Sequence, residues 1–389
     1  MESTQQGTML IADITGYTQY LSASELAHAR EVLKALLELL ISHTKPPLVI
    51  SRLAGDAVIS YGLRGRMLSG QTFVEMIETT YVAFRRAIDL MVMNTTCDCK
   101  ACQNINGLDL KFFVHFGSFG IDRLGGHDEM VGADVIVLHR LLNNHVTEKT
   151  GFRAYTLYSD AAIKALGIEG FCEKLIPHQE AYEHLGVVEV WIQDMHPVWK
   201  EKQDSLELDI PSEQVMYQYE IDLPLPVEIV WDYMGQEKYR SMLTAGNLVN
   251  IVNRQNGRVA PGSVFRCYHG KDKYTHQTIL QWQPFEYYLT ESESMIPNTK
   301  LRDKIQLIPH EGGTRILVKF GRVTGPKLPA FFANLLFGFM LKSMVPKSSV
   351  KLTEEITQTL AEGRLTLPEP AQISDENIHQ AAVASLTSV

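Results

Sequence analysis

Two aspartates, Asp13 and Asp56, each lie at the end or turn of an apolar stretch, in residues 10–13 and 50–58. A carboxylate at the end of a packed strand loses hydration, and a cation or hydrogen bonds must compensate this cost. Mg²⁺ takes one or two protein carboxylates and lets substrate phosphates complete its coordination, so the pair predicts a divalent-metal site. The structural alternative is that one aspartate caps a helix and the other forms a turn.

A short turn, Thr15-Gly16-Tyr17-Thr18, separates Asp13 from the first predicted helix. The first backbone N–H groups of a helix have no partner inside it, and they favour phosphate. Gly16, Tyr17 and Thr18 are therefore candidate contacts for a phosphate group.

Three cysteines, Cys97, Cys99 and Cys102, fall within one short segment. They form an incomplete site for structural Zn²⁺, which takes four ligands. Cys172, His115 or a partner chain could supply the fourth, and the alternative is a set of reduced thiols in an insertion. His115 lies on an apolar strand and is expected to be a hydrogen-bonded core histidine rather than a catalytic base.

The composition fits a two-domain chain that is not a general nucleic-acid binder. The 389 residues exceed one ordinary domain, and 45% are hydrophobic, so each half can build a core. The formal net charge is −9, and no basic stripe is present to bind phosphate backbones. The first residues lack the pattern of a signal peptide, which predicts a cytoplasmic protein. The apolar run at 328–340 is too short to span a bilayer unaided, so no stable membrane insertion is expected.

Strands and helices alternate in the first half, which predicts an α+β sheet domain. The predicted elements are strands at 8–13 and 47–62 around a helix carrying Leu33, Leu36, Leu37 and Leu40, a helix at 73–93, a strand at 108–116, a helix at 134–144 and a strand at 187–192.

The pattern changes after a predicted linker at 196–212, which contains Pro197, a charged run and Pro211. A strand at 215–223 and a helix beginning near Pro226 come next. Six strands are then predicted, at 248–253, 263–269, 275–282, 285–292, 301–308 and 315–323. A long helix at 328–360, bent near Pro346, ends this part. The predicted division is therefore a domain at 1–195, the linker, a domain at 213–362 and a flexible tail at 363–389.

The first half resembles the catalytic domain of class III nucleotidyl cyclases over roughly residues 8–195. The matching residues are Asp13, Ile14, Gly16, Tyr17 and Thr18 in a strand-end motif, and Gly55, Asp56 and Ala57 in a Gly-Asp-Ala hairpin. The resemblance implies a ferredoxin-like fold, a homodimer and formation of a 3′,5′-cyclic nucleotide with release of pyrophosphate. It also implies that Asp13, the backbone carbonyl of Ile14 and Asp56 hold two Mg²⁺ or Mn²⁺ ions.

The same resemblance gives roles to four further residues. Lys111 takes the place of a phosphate-contacting arginine, Arg52 and Glu129 occupy the two base-selecting positions, and Arg140 matches an arginine that stabilises the transition state. The chain departs from the pattern at Ile136, where an asparagine that orients the ribose is expected. A phosphate-binding lysine near the last strand also has no clear counterpart.

The second half resembles the START-like, or SRPBCC, superfamily with its helix-grip fold. The matching stretches are Leu-Pro-Val-Glu-Ile-Val-Trp at 225–231, Pro-Gly-Ser-Val-Phe at 261–265 and Trp-Gln-Pro-Phe-Glu-Tyr at 282–287. The resemblance implies an apolar cavity for a lipid or another hydrophobic ligand. The alternative is a core filled by four aromatic residues, which are Trp231, Phe265, Trp282 and Phe331.

Two functional hypotheses follow. In the first, a homodimeric, metal-dependent nucleotidyl cyclase acts on a nucleoside triphosphate and is regulated by a hydrophobic ligand in the second domain. In the second, the cyclase-like half is a catalytically inactive dimerisation or nucleotide-sensing module attached to a hydrophobic-ligand binding protein. The retained metal-binding pair favours the first hypothesis, and the missing asparagine favours the second.

Overall fold

The structure is a computed structural model that forms two compact units, which divide after Ser205. It describes residues 4–22, 24–65, 68–94, 97, 99–124, 127–205, 208–237, 239–240, 249–268, 274–294 and 296–361, without the side chains of 124, 127–128, 343–349, 351 and 359–361. The predicted tail at 363–389 lies outside these residues.

The first unit contains eight strands and eight α-helices among its described residues. The strands are β1 (Gln5–Thr15), β2 (Val49–Ala54), β3 (Ala57–Leu63), β4 (Asp109–Leu124), β5 (His127–Val131), β6 (Tyr155–Ser159), β7 (Ile176–Tyr182) and β8 (Gly186–Asp194). The helices are α1 (Tyr17–Ser22), α2 (Leu26–Thr44), α3 (Gly70–Asn94), α4 (Lys100–Asn104), α5 (Ala133–Leu141), α6 (Val146–Thr150), α7 (Asp160–Leu166) and α8 (His196–Asp204).

The sheet of the first unit has the order β2-β3-β1-β4-β6-β8-β7, with β5 paired to β4. The part built from β1, α2, β2, β3, α3 and β4 has the chain order and strand order of a ferredoxin-like βαββαβ unit, with antiparallel β1–β3, β1–β4 and β2–β3 pairs. The mixed α+β class predicted from the sequence is confirmed for this unit. Its one described parallel pair is β4–β6.

The strand β1 lies inside the sheet, between β3 and β4, and both of its faces are buried. Residues 7–12 are buried, and Met9 and Ile11 share a core cluster with Phe113 of β4 and with Leu138 and Leu141 of α5. A strand buried on both faces has a continuous apolar sequence, as residues 9–12 do.

The first unit ends with a helix in the segment that the sequence predicts to be a linker. The helix α8 begins at His196, with Pro197 in its first turn. Proline is tolerated at the start of a helix because the N–H that it lacks would have no helical partner. The prolines and charges of this segment therefore mark a helix start and a solvated helix surface as well as a boundary.

The second unit contains a seven-stranded antiparallel sheet with the order β10-β11-β12-β13-β14-β15-β9. Its strands are β9 (Val215–Leu223), β10 (Val249–Asn253), β11 (Val264–Tyr268), β12 (Tyr274–Gln283), β13 (Tyr287–Glu293), β14 (Lys300–His310) and β15 (Gly313–Gly321). The helices of this unit whose bounds the structure describes are α9 (Val227–Gly235) and a long helix labelled α10 (Lys327–Ala361). Each predicted strand has a counterpart, although residues 248 and 269 lie outside the described part of the chain.

Three of the four aromatic residues considered for the core of this unit are buried. Trp231, Phe265 and Trp282 are at most 8% exposed, and the Trp231 and Trp282 ring centroids lie 4.6 Å apart. Phe331 is 65% exposed, so its assignment to the core is wrong. Helical spacing identifies an apolar stripe, but it does not say whether that stripe faces the sheet.

The first turns of α10 present an apolar stripe to solvent. Leu328, Phe331, Leu335 and Phe339 recur at helical spacing, and each is at least 65% exposed. Asn334 holds the other side of the helix. Its side-chain amide accepts a hydrogen bond from the backbone N–H of Val323 and donates one to the Val323 carbonyl, both at 2.9 Å, just after β15. Within the described residues, no helix has an apolar stretch long enough to cross a membrane.

Candidate functional site

The two aspartates meet at one end of the sheet in the first unit. Asp13, near the end of β1, pairs with Ala57 of β3 on one side and with Lys111 of β4 on the other. Asp56 forms the tight turn between β2 and β3, and its backbone carbonyl accepts a 3.2 Å hydrogen bond from the backbone N–H of Ile14. The structure therefore places both predicted metal ligands, and Ile14 between them, in adjacent backbone segments.

The Asp13 carboxylate is partly buried, and Lys111 is the nearby positive charge that lowers its pKa. Among the described residues, no hydrogen bond or close ion pair reaches it. Burial and the negative charge of Asp56 raise the pKa of Asp13 to about 7, and the positive charge of Lys111 lowers it. Burial also raises the pKa of Asp56. A divalent cation would favour the ionised form of both groups, and carboxylate oxygens are the ligands that Mg²⁺ and Mn²⁺ prefer.

A third aspartate in the same sheet, Asp109, has the hydrogen-bond partners expected of a structural carboxylate. It is 5% exposed and accepts hydrogen bonds from the Tyr81 hydroxyl at 3.1 Å and the backbone N–H of Leu110 at 3.0 Å, and His196 Nε2 lies 3.0 Å from its other oxygen. Asp13 has no such set of partners. The contrast favours the metal-ligand interpretation of Asp13 over the capping alternative.

Lys111 places a positive charge beside Asp13. Its Nζ lies 4.9 Å from the centroid of the Tyr155 ring. Burial lowers the pKa of Lys111, whereas Asp13 and Asp109 act to raise it. A lysine in this position can attract both the Asp13 carboxylate and an incoming phosphate.

The turn after β1 depends on a glycine. Gly16 has a φ of +86°, and a Cβ atom at this position would lie 2.9 Å from the carbonyl oxygen of Gly107. Tyr17 then begins α1, with a side chain only 3% exposed, whereas Thr18 is exposed. Any contact that Tyr17 makes with a nucleotide would therefore come from its backbone, while Thr18 can offer its hydroxyl.

The two residues expected to select a base contact each other. The Arg52 guanidinium lies 3.0 Å from the Glu129 carboxylate, and a second Arg52 nitrogen lies 3.4 Å from Nε2 of His139. Burial and the charge of Arg52 lower the pKa of His139, so the neutral imidazole can accept the Arg52 N–H. His139 thus completes this group, which is half exposed and can present donors and acceptors to a planar ligand.

One face of α5 borders an open pocket of about 530 Å³. Its lining includes Ile136, His139, Arg140 and Asn143. Ile136 is 53% exposed, and the exposed Arg140 has no hydrogen-bond or ion-pair partner among the described residues. The expected transition-state arginine is therefore available to a ligand or to another chain.

The site residues fall into two groups within one chain. Asp13, Asp56 and Lys111 form the first, and Arg52, Glu129 and His139, with Arg140 on the same helix, form the second. In the part of the chain that the structure describes, no hydrogen bond or ion pair joins the two groups.

A separate cluster forms around the cysteine segment. The Sγ atoms of Cys97, Cys99 and Cys102 and a ring nitrogen of His28 all lie within 4.8 Å of one another, an arrangement that could hold a metal ion. His28, on the first turn of α2, is the fourth candidate ligand in place of Cys172 and His115. The sequence offered little signal for it, since a lone histidine some 70 positions away has no spacing relation to the cysteines.

His115 is instead part of the core, as the sequence predicted. It is 6% exposed, its Nδ1 lies 2.8 Å from the Ser159 hydroxyl, and its Nε2 lies 3.4 Å from the Asp134 carboxylate. Burial lowers the pKa of His115. Both ring nitrogens have partners, which leaves none to ligate a metal.

Comparison with known proteins gives two sequence matches. A family model described as a protein of unknown function, DUF2652, matches residues 33–150. An uncharacterised protein of Mycobacterium tuberculosis, Rv2561/Rv2562, is 35% identical over 63 residues, which are 16% of this chain and 30% of that protein. The match thus spans less than a third of the curated relative.

Several solved structures of nucleotide cyclases are similar to about half of the chain. A bacterial light-regulated adenylyl cyclase is 10% identical, with a TM-score of 0.38 over 53% of this chain and 59% of that one. The adenylyl cyclase CyaB of P. aeruginosa is 13% identical, with a TM-score of 0.35 over 50% and 96%. A dimeric guanylyl cyclase domain of the fungus Blastocladiella emersonii is 16% identical, with a TM-score of 0.30 over 49% and 97%.

Proposed function

We propose that the first unit binds a nucleoside triphosphate through two divalent ions and acts as a nucleotidyl cyclase of the class III type. The observation that carries this proposal is the Asp13 carboxylate, partly buried beside Asp56 and without a hydrogen-bond or close ion-pair partner in the described chain. The fold does not need a carboxylate there, and a divalent ion would compensate it.

Each group of residues would have a distinct task. Asp13, the Ile14 carbonyl and Asp56 would hold two Mg²⁺ or Mn²⁺ ions, which supply positive charge to the triphosphate when bound. Lys111 would add a positive charge beside them, and the backbone at Gly16 and Tyr17, with the Thr18 hydroxyl, would contact the phosphates.

The second group of residues would bind the base and stabilise the transition state. Arg52 and Glu129 would present a donor fork and an acceptor to the edge of the base, with His139 holding the guanidinium in place. Arg140 would stabilise the negative charge that develops on the α-phosphate when the ribose 3′-hydroxyl attacks it. A planar donor fork at Arg52, where such enzymes carry lysine or glutamate, leaves the preferred base open.

A homodimer would bring the two groups together. The free guanidinium of Arg140 and the lack of a described contact between the groups within one chain both favour a site completed by a second copy. In a two-fold dimer each Arg140 would face the aspartates of the partner subunit, which gives two equivalent composite sites.

The alternative is nucleotide binding without turnover. Ile136 favours it, because an exposed apolar side chain borders the pocket at the position where a polar contact would orient the ribose. Loss of one preorganised polar contact typically reduces the rate by about 10²- to 10³-fold. We therefore expect slow activity that prefers Mn²⁺.

For the second unit we propose a helix-grip fold that senses a hydrophobic ligand and adjusts the cyclase-like unit. Support comes from the strand order, in which β9 lies beside β15 at one edge, and from a helix after β9 and the long helix α10 after β15. The packed rings of Trp231 and Trp282 limit any ligand space beside α9, so the ligand would lie elsewhere over the sheet.

The test is incubation of the full-length protein with each nucleoside triphosphate and Mg²⁺ or Mn²⁺, followed by mass spectrometry of cyclic products. Asp13→Asn and Asp56→Asn should abolish metal-dependent nucleotide binding and product, and the exposed Asp204→Asn should preserve both. Tight binding without product from the wild type would favour the alternative, and unchanged Mn²⁺-dependent binding in both variants would overturn the metal assignment.

A further inference from the structure

We infer that His28, Cys97, Cys99 and Cys102 form a structural zinc site that secures the turn at Gly16, beside Asp13. The metal site stands on its own residues and does not depend on the proposed cyclase activity. Only the use of that turn for phosphate binding rests on the proposed function.

The ring nitrogen of His28 lies at about the distance from each sulfur that a tetrahedral zinc site requires. His28 Nδ1 lies 3.2 Å from Cys99 Sγ, 3.6 Å from Cys97 Sγ and 3.9 Å from Cys102 Sγ. Zinc bonds of about 2.3 Å to sulfur and about 2.0 Å to nitrogen, at tetrahedral angles, place these atoms about 3.6 Å apart. The three N–S distances bracket that value, so the position of the ring nitrogen relative to the sulfurs suits a zinc ion.

The donor set favours zinc over magnesium and calcium. Thiolates and imidazole are soft or borderline ligands, which disfavours Mg²⁺ and Ca²⁺. Three sulfurs and one nitrogen complete four-coordination, leaving no open position of the kind a catalytic zinc keeps for water. The site therefore has the composition of a structural centre.

Two hydrogen bonds, one within the cysteine segment and one from Glu25 outside the ligand set, hold the ligand-bearing segments in place. Cys99 caps α4, and its Sγ accepts the backbone N–H of Cys102 at 3.5 Å. The Glu25 carboxylate, just before α2, accepts the backbone N–H of Ala101 at 3.1 Å. This second bond brings the first turn of α2, and with it His28, against the cysteine segment. Such supporting contacts fix ligand geometry in metal sites.

The cluster connects directly to the turn beside Asp13. The helix α4 continues into a 3-10 helix, Ile105–Gly107, whose last carbonyl lies against Gly16 and accepts a 2.9 Å hydrogen bond from Arg153. The helix α1, which follows Gly16, contacts both α2 and α4. A metal that fixes α2 to α4 therefore fixes the two surfaces on which the Gly16 turn and α1 rest.

Metal content and cobalt spectroscopy test the site on the full-length protein. We expect one zinc per chain, and we expect Co²⁺ exchanged into the protein to show the absorption of a tetrahedral site with three thiolates and one nitrogen. His28→Ala and Cys99→Ser should lose the bound metal, while Cys172→Ser and His184→Ala should keep it. Full zinc content in His28→Ala, or loss of zinc in Cys172→Ser, would overturn the ligand assignment.

A conservative exchange guards against simple misfolding. His28→Cys should retain one metal per chain, and its Co²⁺ spectrum should change to that of a four-thiolate site, because the new sulfur takes the position of the ring nitrogen. A His28→Cys protein that is folded by circular dichroism and holds no metal would contradict the proposal.

Hydrogen exchange tests the link to the Gly16 turn without any nucleotide. Removal of zinc with a chelator should increase exchange in α1 and α4 at least tenfold and leave α5 unchanged. Unchanged exchange in α1 after zinc is lost would overturn the supporting role. Because no nucleotide is present, this outcome is separate from a failure of the proposed cyclase activity.

Discussion

Ionisation of Asp13 should destabilise the metal-free protein as the pH rises. Burial and the charge of Asp56 raise the pKa of this carboxyl from 3.8 to about 7. Between about pH 4 and pH 7 the folded state keeps a proton that the unfolded chain has released. Below that range both states are protonated and Asp13 costs nothing, whereas above it the cost to the free energy of unfolding is at most about 4 kcal/mol.

Asp13→Asn removes this cost, since asparagine is neutral at every pH. In EDTA at pH 8 the variant should be more stable than the wild type by about 2–4 kcal/mol, and the difference should vanish near pH 4. The stability of the first unit alone can be measured in urea titrations in which hydrogen exchange of β1 peptides is the readout. Asp204→Asn, at an exposed position, should follow the wild type at both pH values.

A divalent metal should make the wild type more stable than Asp13→Asn, because the metal binds the ionised carboxylate. At pH 6, Mn²⁺ binding must displace the proton from Asp13, so calorimetric titrations in two buffers should show release of close to one proton per chain from the wild type. At pH 8.5 the release should disappear. The same pH dependence of stability in wild type and Asp13→Asn, together with no proton release at pH 6, would refute the reasoning.

Three further predictions concern single positions. Arg52→Ala should change the ranking of nucleoside triphosphates in a binding assay. It should lower the free energy of unfolding by less than about 1 kcal/mol, because the ion pair of Arg52 with Glu129 is half exposed. The control variant Arg86→Ala should change neither the ranking nor the stability. Gly16→Ala should cost about 1–3 kcal/mol in thermal or urea denaturation and weaken nucleotide binding, because alanine is strained at this φ and its Cβ meets Gly107; a stable variant with normal binding would contradict the turn assignment. Ile136→Asn should raise single-turnover product formation about tenfold or more, and absence of product from both proteins would favour the binding-only alternative.

The sequence predicted that Asp13 and Asp56 lie at neighbouring strand ends, and the structure places them there. This proximity could be predicted because a strand and a hairpin with apolar runs bring their ends to one edge of a sheet. The sequence assigned Arg52 and Glu129 to base selection but did not predict their ion pair. The partner of Arg52 on α5, His139, required the structure, since only the packing of α5 against the sheet decides which of its residues reach β2.

Other features had no local signal in the sequence. His28 joins the cysteines through tertiary packing across some 70 residues, and no spacing rule covers such a distance. The exposure of Phe331 depends on which face of α10 meets the sheet, and Asn334 makes that choice through two backbone hydrogen bonds. The helix at His196–Asp204 was hidden because proline and charge occur both in linkers and at helix starts.

The position of β1 in the sheet has a consequence for synthesis of the chain. One edge of β1 pairs with β3, which leaves the ribosome soon after it, but the other edge pairs with β4, about a hundred residues later. Until Asp109–Leu124 emerges, this largely buried strand carries a bare hydrogen-bonding edge, the kind that associates with other chains. Nascent chains interrupted before β4 should therefore aggregate more than chains in which β4 has emerged and covers this edge of β1.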